Sequence, residues 1–237
     1  MARRYDSADS KRRIISACVS LFIEKGYTET RMTDILKTAD VSTGTFRNIF
    51  HTKDGVLGEF IEFTFAAQFN AANKIVAANG GNTENPAVYY ATETALQLAL
   101  TEINENLRSV YIEAYTQRES AELIYQKTAS ELYRLFNKYM PGLTSSEFYE
   151  RGIGTSSLMR GYMSRPCDVY FTLEKKIQVF TDIALSAYNV PAEAKAEAMA
   201  FVRGLDMTEV AREFSHELFH LMSIRYEFTL SEKLKNL

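Results

Sequence analysis

Four prolines and eleven glycines in 237 residues leave few places to turn a chain sharply. A strand-rich fold needs many such turns, so the scarcity points to long helices. Cysteine is scarcer still, with only Cys18 and Cys167. Cys18 lies among apolar residues at helical spacing and reads as a small buried hydrophobe. Nothing suggests a disulfide, which makes a reducing cytoplasm the expected setting. No apolar run is long enough to cross a bilayer. The first residues, Met1-Ala2-Arg3-Arg4-Tyr5-Asp6, are polar and lead into no apolar core, so no secretory signal is expected. Internal repeats and low-complexity stretches are missing too.

Apolar residues make up 46% of the chain, enough to bury a real core and too many for a disordered protein. The net charge of −3 is unevenly spread. Residues 1–55 hold ten Lys/Arg against seven Asp/Glu, and residues 56–237 hold seventeen against twenty-three. A basic head on an acidic body suits a protein that offers one end to an anionic polymer. Arg3, Arg4, Lys11, Arg12 and Arg13 concentrate that charge ahead of and within the first expected helix.

That helix is expected over Ser7–Lys25, where Ile14, Ala17, Cys18, Leu21 and Phe22 repeat every three or four residues and Gly26 supplies a stop. A short second helix is expected over Met32–Thr38, with Thr30 as the nearest capping residue and Ile35 and Leu36 facing inward. Asp40 falls in a tight turn where glycine is easiest and Asp tolerable. Ser42 caps a third helix over Thr43–Phe50, and Thr52 caps a long fourth one reaching about Ala78. Two short helices across a four-residue turn are helix-turn-helix geometry. The second of the pair would lie in the major groove and expose Thr43, Thr45, Arg47 and Asn48 to base edges or phosphates. Phe46 and Phe50 would face the small core. Further helices are expected at about 87–103, 106–117, 120–139, 145–163, 173–188, 192–204 and 208–226, broken at Asn79–Pro86, Pro141-Gly142, Arg165-Pro166 and Asn189-Val190-Pro191.

Residues 11–57 resemble the TetR family of transcriptional regulators without a gap. The pattern appears as Arg13-Ile14-Ile15-Ser16-Ala17-Cys18, Leu21-Phe22 and Lys25-Gly26-Tyr27; then Met32-Thr33-Asp34-Ile35 with Ala39 and Val41; then Ser42-Thr43-Gly44-Thr45-Phe46 with Phe50; then Thr52-Lys53-Asp54 with Leu57. The resemblance implies an all-α protein. Its three-helix DNA-binding domain would cover 1–55, and a larger helical domain for effector binding and dimerisation would cover 56–237. It implies a homodimer on a palindromic double-stranded operator, a small-molecule effector, no cofactor and no enzymatic activity, with repression as the family default. Thr30, Arg31, Ser42, Thr43, Gly44, Thr45, Arg47, Asn48 and Lys53 become the expected DNA contacts. Gly44 would allow close approach to the DNA backbone, and Lys53 would meet a phosphate at a helix N-terminus. Tyr89, Tyr90, Tyr111, Tyr115 and Tyr125 fall in helices that line the family's effector cavity. Three positions depart from the family pattern: Arg47 stands for the usual aromatic, Asp40 for the turn glycine, and Arg31 for the usual cap, leaving the cap to Thr30 and freeing Arg31 for a phosphate. The segment after Pro191 is somewhat long for the family and reads as an addition with its own use.

Two other motifs compete. His216-Glu217-Leu218-Phe219-His220 matches H-E-x-x-H, in which two imidazoles one turn apart bind zinc and the Glu activates water. Tyr226 and Ser223 stand where a longer zinc motif places His and Gly, and only Glu227 or Glu232 remains nearby as a third ligand. An apolar stripe through Val210, Phe214, Leu218 and Leu221 would turn both histidines to water, so no metal is expected and a zinc hydrolase is the weaker alternative. Gly152-Ile153-Gly154-Thr155-Ser156-Ser157 lacks the third glycine and the preceding strand of a dinucleotide fingerprint. Gly154, Ser157 and Gly161 read instead as small residues for close helix packing, in the core or at a subunit contact. A third class is an architectural or protein-binding role on the same fold without an effector.

Overall fold

A computed structural model describes residues 7–229; Arg3, Arg4 and Glu232 lie outside them. Among the described residues there are eleven α-helices and no strand. α1 (Ser7–Lys25), α2 (Met32–Ala39) and α3 (Thr43–Phe50) pack together against the first turns of α4 (Lys53–Ala78). The helix limits follow local chemistry. Ser42 Oγ accepts from Thr45 N at 3.0 Å, and Thr52 Oγ1 accepts from Gly55 N at 3.1 Å, each satisfying one of the donors that a helix start leaves unpaired. Asp40 is left-handed at φ 50° and closes α2. Thr30 does not cap α2. Arg31 occupies the capping position without a side-chain bond, and the Thr30 hydroxyl points inward to Gly26 O at 2.7 Å. Gly55 is a packing requirement, since a Cβ there would sit 2.3 Å from Phe50 O.

The expected stripe on α1 is buried throughout, but it is only half of the buried surface. Ile15, Val19 and Ile23 are buried as well, because α1 also packs against α6 (Glu105–Ala114). The centre of the body is α5 (Pro86–Ile103), in which every residue from Ala87 to Thr101 is buried. It is covered by α4, α6, α9 (Leu173–Ala187), α10 (Ala192–Arg203) and α11 (Met207–Arg225). α7 (Arg118–Phe136) and α8 (Ser145–Ser164) pair with one another at the side. The helices after Pro191 are therefore part of the wall around α5. Asn82 and Asn85 both donate to Glu197 of α10, at 2.9 and 2.7 Å, which fastens the turn before α5 to this wall.

α11 ends against the other end of the molecule. Tyr226 packs on Phe63 of α4 at 6.2 Å, Arg225 lies over the Phe63 ring, and Glu227 pairs with Arg12 of α1. With 26 residues, α4 is about 39 Å long. It touches α3 at its start and α5 and α7 further along, so it spans the helix-turn-helix and the body.

Candidate nucleic-acid interface and ligand cavity

The outer face of α3 carries Thr43, Gly44, Arg47 and Asn48, all exposed, with Thr45 half-buried beside them. The buried side of the same helix is Phe46 and Phe50, whose rings meet at 6.0 Å. Three- and four-residue spacing thus divides eight residues into an aromatic anchor and a polar reading face. The Arg47 side chain has no ion pair or hydrogen bond among the described residues; the exposed Arg31, before α2, lies close enough to Asp34 to help hold that carboxyl below its usual range. A Cβ at Gly44 would meet only Ser42 Oγ, at 3.7 Å, so nothing inside the protein requires glycine there.

Lys11, Arg12, Arg13 and Lys53 are committed inside the molecule. Lys11 pairs with Glu59 at 2.5 Å, and Arg12 with Asp9 and Glu227. The Arg13 guanidinium donates to Asp9 at 3.0 Å and closes the end of α2 through Ala39 O and Asp40 O at 2.7 and 2.8 Å. Lys11, Arg12 and Arg13 are thus engaged within the protein, by Asp9 on the same helix and by distant partners that spacing along one helix could not reveal. Lys53 is held likewise. Its ammonium donates to Tyr27 O at 2.8 Å and Thr30 O at 3.0 Å and lies 4.0 Å from the Tyr27 ring centroid. Burial keeps its pKa below the usual lysine range. Thr30 is 1% exposed, and its hydroxyl is spent on Gly26 O and Leu21 O, so its side chain does not reach the surface.

A second feature lies in the body. Tyr89, Tyr90 and Tyr115 line a cavity with Phe65 and Phe69 of α4 and Phe180 of α9. Tyr111 instead lines a neighbouring apolar cavity formed by α1, α4, α6 and α11, while Tyr125 lines neither and packs on Tyr149 at 6.4 Å. Phe65 and Tyr115 border both spaces and form the partition between them. The ring-lined cavity also holds Glu93, buried on α5. Gln97 Nε2 donates to one Glu93 oxygen, and the Tyr115 hydroxyl donates to Gln97 Oε1 at 2.8 Å. Burial, with the charge of Glu131 nearby, raises the Glu93 carboxyl to about 7. Beside this chain Gln68 of α4 donates to the Tyr111 hydroxyl at 2.6 Å. The polar network of Gln68, Glu93 and Gln97 escaped the sequence reading. Its signal was present: Glu93 is the only charged residue between Pro86 and Thr101, one turn from Gln97.

The family model for bacterial regulatory proteins of the tetR family matches residues 14–60. Those residues carry the N-terminal domain of the TetR type. The match takes in all of the helix-turn-helix and the first turns of α4. No curated protein matches the chain. Among solved structures, the chain is similar to RolR in complex with its ligand resorcinol, with a TM-score of 0.60, 17% identity, and coverage of 81% of this chain and 94% of that one. It is also similar to a gamma-butyrolactone receptor described as ArpA-like, with a TM-score of 0.43, 14% identity, and coverage of 88% and 98%. The RolR likeness is one of fold: a TetR domain followed by a larger helical body.

Away from the TetR domain, the H-E-x-x-H sequence lies on the outside of α11. His216 and His220 are exposed, and Glu217 pairs with Lys74 at 3.5 Å. Glu227, one of the two possible third ligands, is engaged by Arg12. Among the described residues no group of three potential ligands could hold a metal ion. The buried stripe of α11 runs through Met207, Ala211, Phe214, Leu218 and Met222; Leu221, expected inside, is 42% exposed. The glycine-rich run of α8 lies within a helix, and Gly154 and Gly161 have nothing within 4 Å of where a Cβ would stand, so the small residues pack no core here.

Proposed function

We propose that the protein is a homodimeric transcriptional repressor of the cytoplasm that reads a palindromic operator through α3 and lets it go when a small molecule enters the cavity beside α5. The observation that carries this is the reading face of α3. Thr43, Thr45, Arg47 and Asn48 are displayed around Gly44 on a TetR domain, and Arg47 has no internal partner among the described residues. Arg31 flanks that face, and Ser42 orders its first turn. In this reading Arg47 and Asn48 contact bases, and Thr43, Thr45 and Arg31 hold phosphates. Lys53 acts by fixing the start of α4, and Thr30 by fixing the loop that Lys53 binds.

The dimer is supported by the outer face of α8 and α9. Gly154, Ser157 and Gly161 make a smooth strip on α8, with Ile153 beside it and the exposed Val179 and Ile183 on α9. On the connection between these helices, Val169 and Tyr170 are 83% and 85% exposed. An apolar, small-residue face of this kind suits helix packing against a second copy, and two-fold symmetry then sets two α3 helices one DNA turn apart.

The release step rests on how full the cavity is. Its free space is about 30 Å³, room for a water or two. Any organic ligand enters by displacing rings, and two of those rings, Phe65 and Phe69, belong to α4. RolR, of the same fold, holds a small aromatic ligand. A shift of α4 would move the TetR domain, and the ligand would thereby favour a dimer whose spacing no longer fits the groove. Selection of operator sites from random DNA by the purified protein, repeated with fractionated cell metabolites, tests the whole reading. Enrichment of a palindrome that one fraction abolishes is the expected result. Failure to enrich any sequence would remove the regulator reading, and an operator insensitive to every fraction would remove the release step.

A further inference from the structure

The cavity beside α5 has a surplus of hydrogen-bond acceptors and negative charge. Its lining includes two carboxylates, Glu93 and Glu131, and no lysine, arginine or histidine; Glu131 is paired with Arg134 beside the cavity, and Glu93 has no such partner among the described residues. Glu93 is 4% exposed, and one of its oxygens is taken by Gln97 Nε2. No cation pairs with it among the described residues; the neighbouring charge acting on it is that of Glu131, of the same sign. Gln97 cannot turn to offer more, because Tyr115 holds its carbonyl. A buried carboxylate held by a single amide is costly in a protein interior, where charges are normally paired. The rings around it offer the negative faces of their π-systems to whatever occupies the space.

Each of these features asks for the same ligand. A carboxylate-bearing molecule would meet the Glu93 carboxylate, and the guanidinium at the edge, Arg134, is already engaged by Glu131. A neutral phenol would give Glu93 one hydrogen bond but leave its charge unbalanced. A protonated amine supplies the missing charge and two or three donors, and it sits well among aromatic faces. We propose that the effector is a compact organic ammonium ion, its protonated amine seated on Glu93 and its apolar body among Phe65, Phe69, Tyr90 and Phe180. This rests on the reading of this cavity as the effector site, and it adds the charge of the ligand.

Three probes that share one ring test it: tyramine, 4-propylphenol and 3-(4-hydroxyphenyl)propionate, titrated calorimetrically into the full-length protein at pH 8. The expected result is binding of tyramine at least about tenfold tighter than the neutral phenol, and no binding of the acid. In Glu93→Gln the advantage of the amine should fall to about threefold or less; Glu131→Gln, nearer the rim, should reduce it by a smaller factor and serves if the first variant does not fold. Equal or tighter binding of the phenol or the acid would overturn the proposal. So would an amine preference that survives Glu93→Gln, or failure of all three to bind a protein that still holds its operator. Tyramine binding that leaves operator affinity unchanged would keep the ligand class and remove only the release step.

Discussion

Lys53 and Glu93 are both ionisable groups drawn out of water beside α4, and the protein treats them in opposite ways. Lys53, at the first turn, is given two carbonyl acceptors and the face of Tyr27. Glu93, on the helix packed against α4, is given one amide and a like-charged neighbour. The first arrangement is complete and the second is not. A satisfied buried ion is framework, because its removal only leaves its partners unpaired. An unsatisfied one marks a place prepared for something else. The contrast separates a satisfied ion in the scaffold of the TetR domain from an unsatisfied one in the body, where the effector is proposed to bind.

The largest effect expected from this contrast is at Glu93. Its folded-state pKa, raised to about 7, lies above the value near 4.5 of an unfolded glutamate. The folded protein therefore binds this proton more tightly than the unfolded chain. That contribution to stability is complete below about pH 4.5, is lost as the pH rises to about 7, and is flat above. Glutamine keeps the amide contact and does not titrate. Glu93→Gln should thus be more stable than wild type by on the order of 3 kcal/mol at pH 8, and the gap should shrink steadily towards pH 5. The groups that face Glu93 are Glu131 of α7, Tyr89 and Tyr90 on its own helix, Tyr111 of α6 and Tyr115 just after it; they are common to both proteins and largely cancel in the difference. Urea unfolding at four pH values would show it. A gap that does not change with pH would mean that Glu93 is solvated or paired, and the contrast with Lys53 would collapse.

Lys53→Met should act in the opposite sense. It leaves Tyr27 O and Thr30 O without their donor and should cost about 2 kcal/mol in the TetR domain. Hydrogen exchange of α1–α3 should report the loss, while α5 stays protected. The same variant also tests whether Lys53 touches DNA. A phosphate contact would show as a drop of about one in the slope of log affinity against log salt, beyond the loss from unfolding. An unchanged slope assigns Lys53 to the framework alone.

Arg47→Ala complements that experiment. Nothing within the described residues holds this side chain, so thermal stability should stay within about 0.5 kcal/mol. Operator affinity should fall about tenfold, and discrimination should relax at one position of each half-site if Arg47 reads a base. Fluorescence anisotropy with single-position operator variants distinguishes this from a phosphate contact, which would weaken all sequences alike.

What the sequence made legible has a common physical origin. Helix starts were readable because Ser42 and Thr52 cap through bonds to residues three ahead, and the two faces of α3 because Phe46 and Phe50 are one turn apart. Local chemistry leaves local marks. The partners that Lys11, Arg12 and Arg13 find beyond Asp9 were not readable, since Glu59, Glu227 and the carbonyls of Ala39 and Asp40 reach them across 48, 215, 26 and 27 residues of chain. The rotation of α11 was missed by one residue, Leu221 for Met222, because the two are equally apolar and only the surface of α5 selects between them. Glu93 stands out in the sequence as a lone charge, but with every residue of α5 from Ala87 to Thr101 buried, no wet face showed which neighbours it meets.

The smallest expected effect concerns the turn that joins the two halves of the reading motif. Asp40 is left-handed at φ 50°, a conformation that strains an L-residue and leaves glycine at ease. Its backbone carbonyl already accepts from Arg13, and its carboxylate lies 3.7 Å from the same guanidinium. Asp40→Gly keeps the first contact and loses the second. Relief of the left-handed strain is worth up to about 1 kcal/mol, and an exposed ion pair contributes a fraction of that. The greater flexibility of an unfolded glycine offsets part of the gain, so folding stability should rise by less than about 1 kcal/mol or stay level. The charge has a second consequence. An exposed carboxylate between α2 and α3 repels phosphates if this surface meets DNA, and its removal should tighten operator binding by a small factor at low salt and by less at high salt. Anisotropy at two salt concentrations measures both. Tighter binding that is equal at both would point to a change in the angle between α2 and α3. Weaker binding would show instead that Asp40, through Arg13, holds α2 in place for the groove.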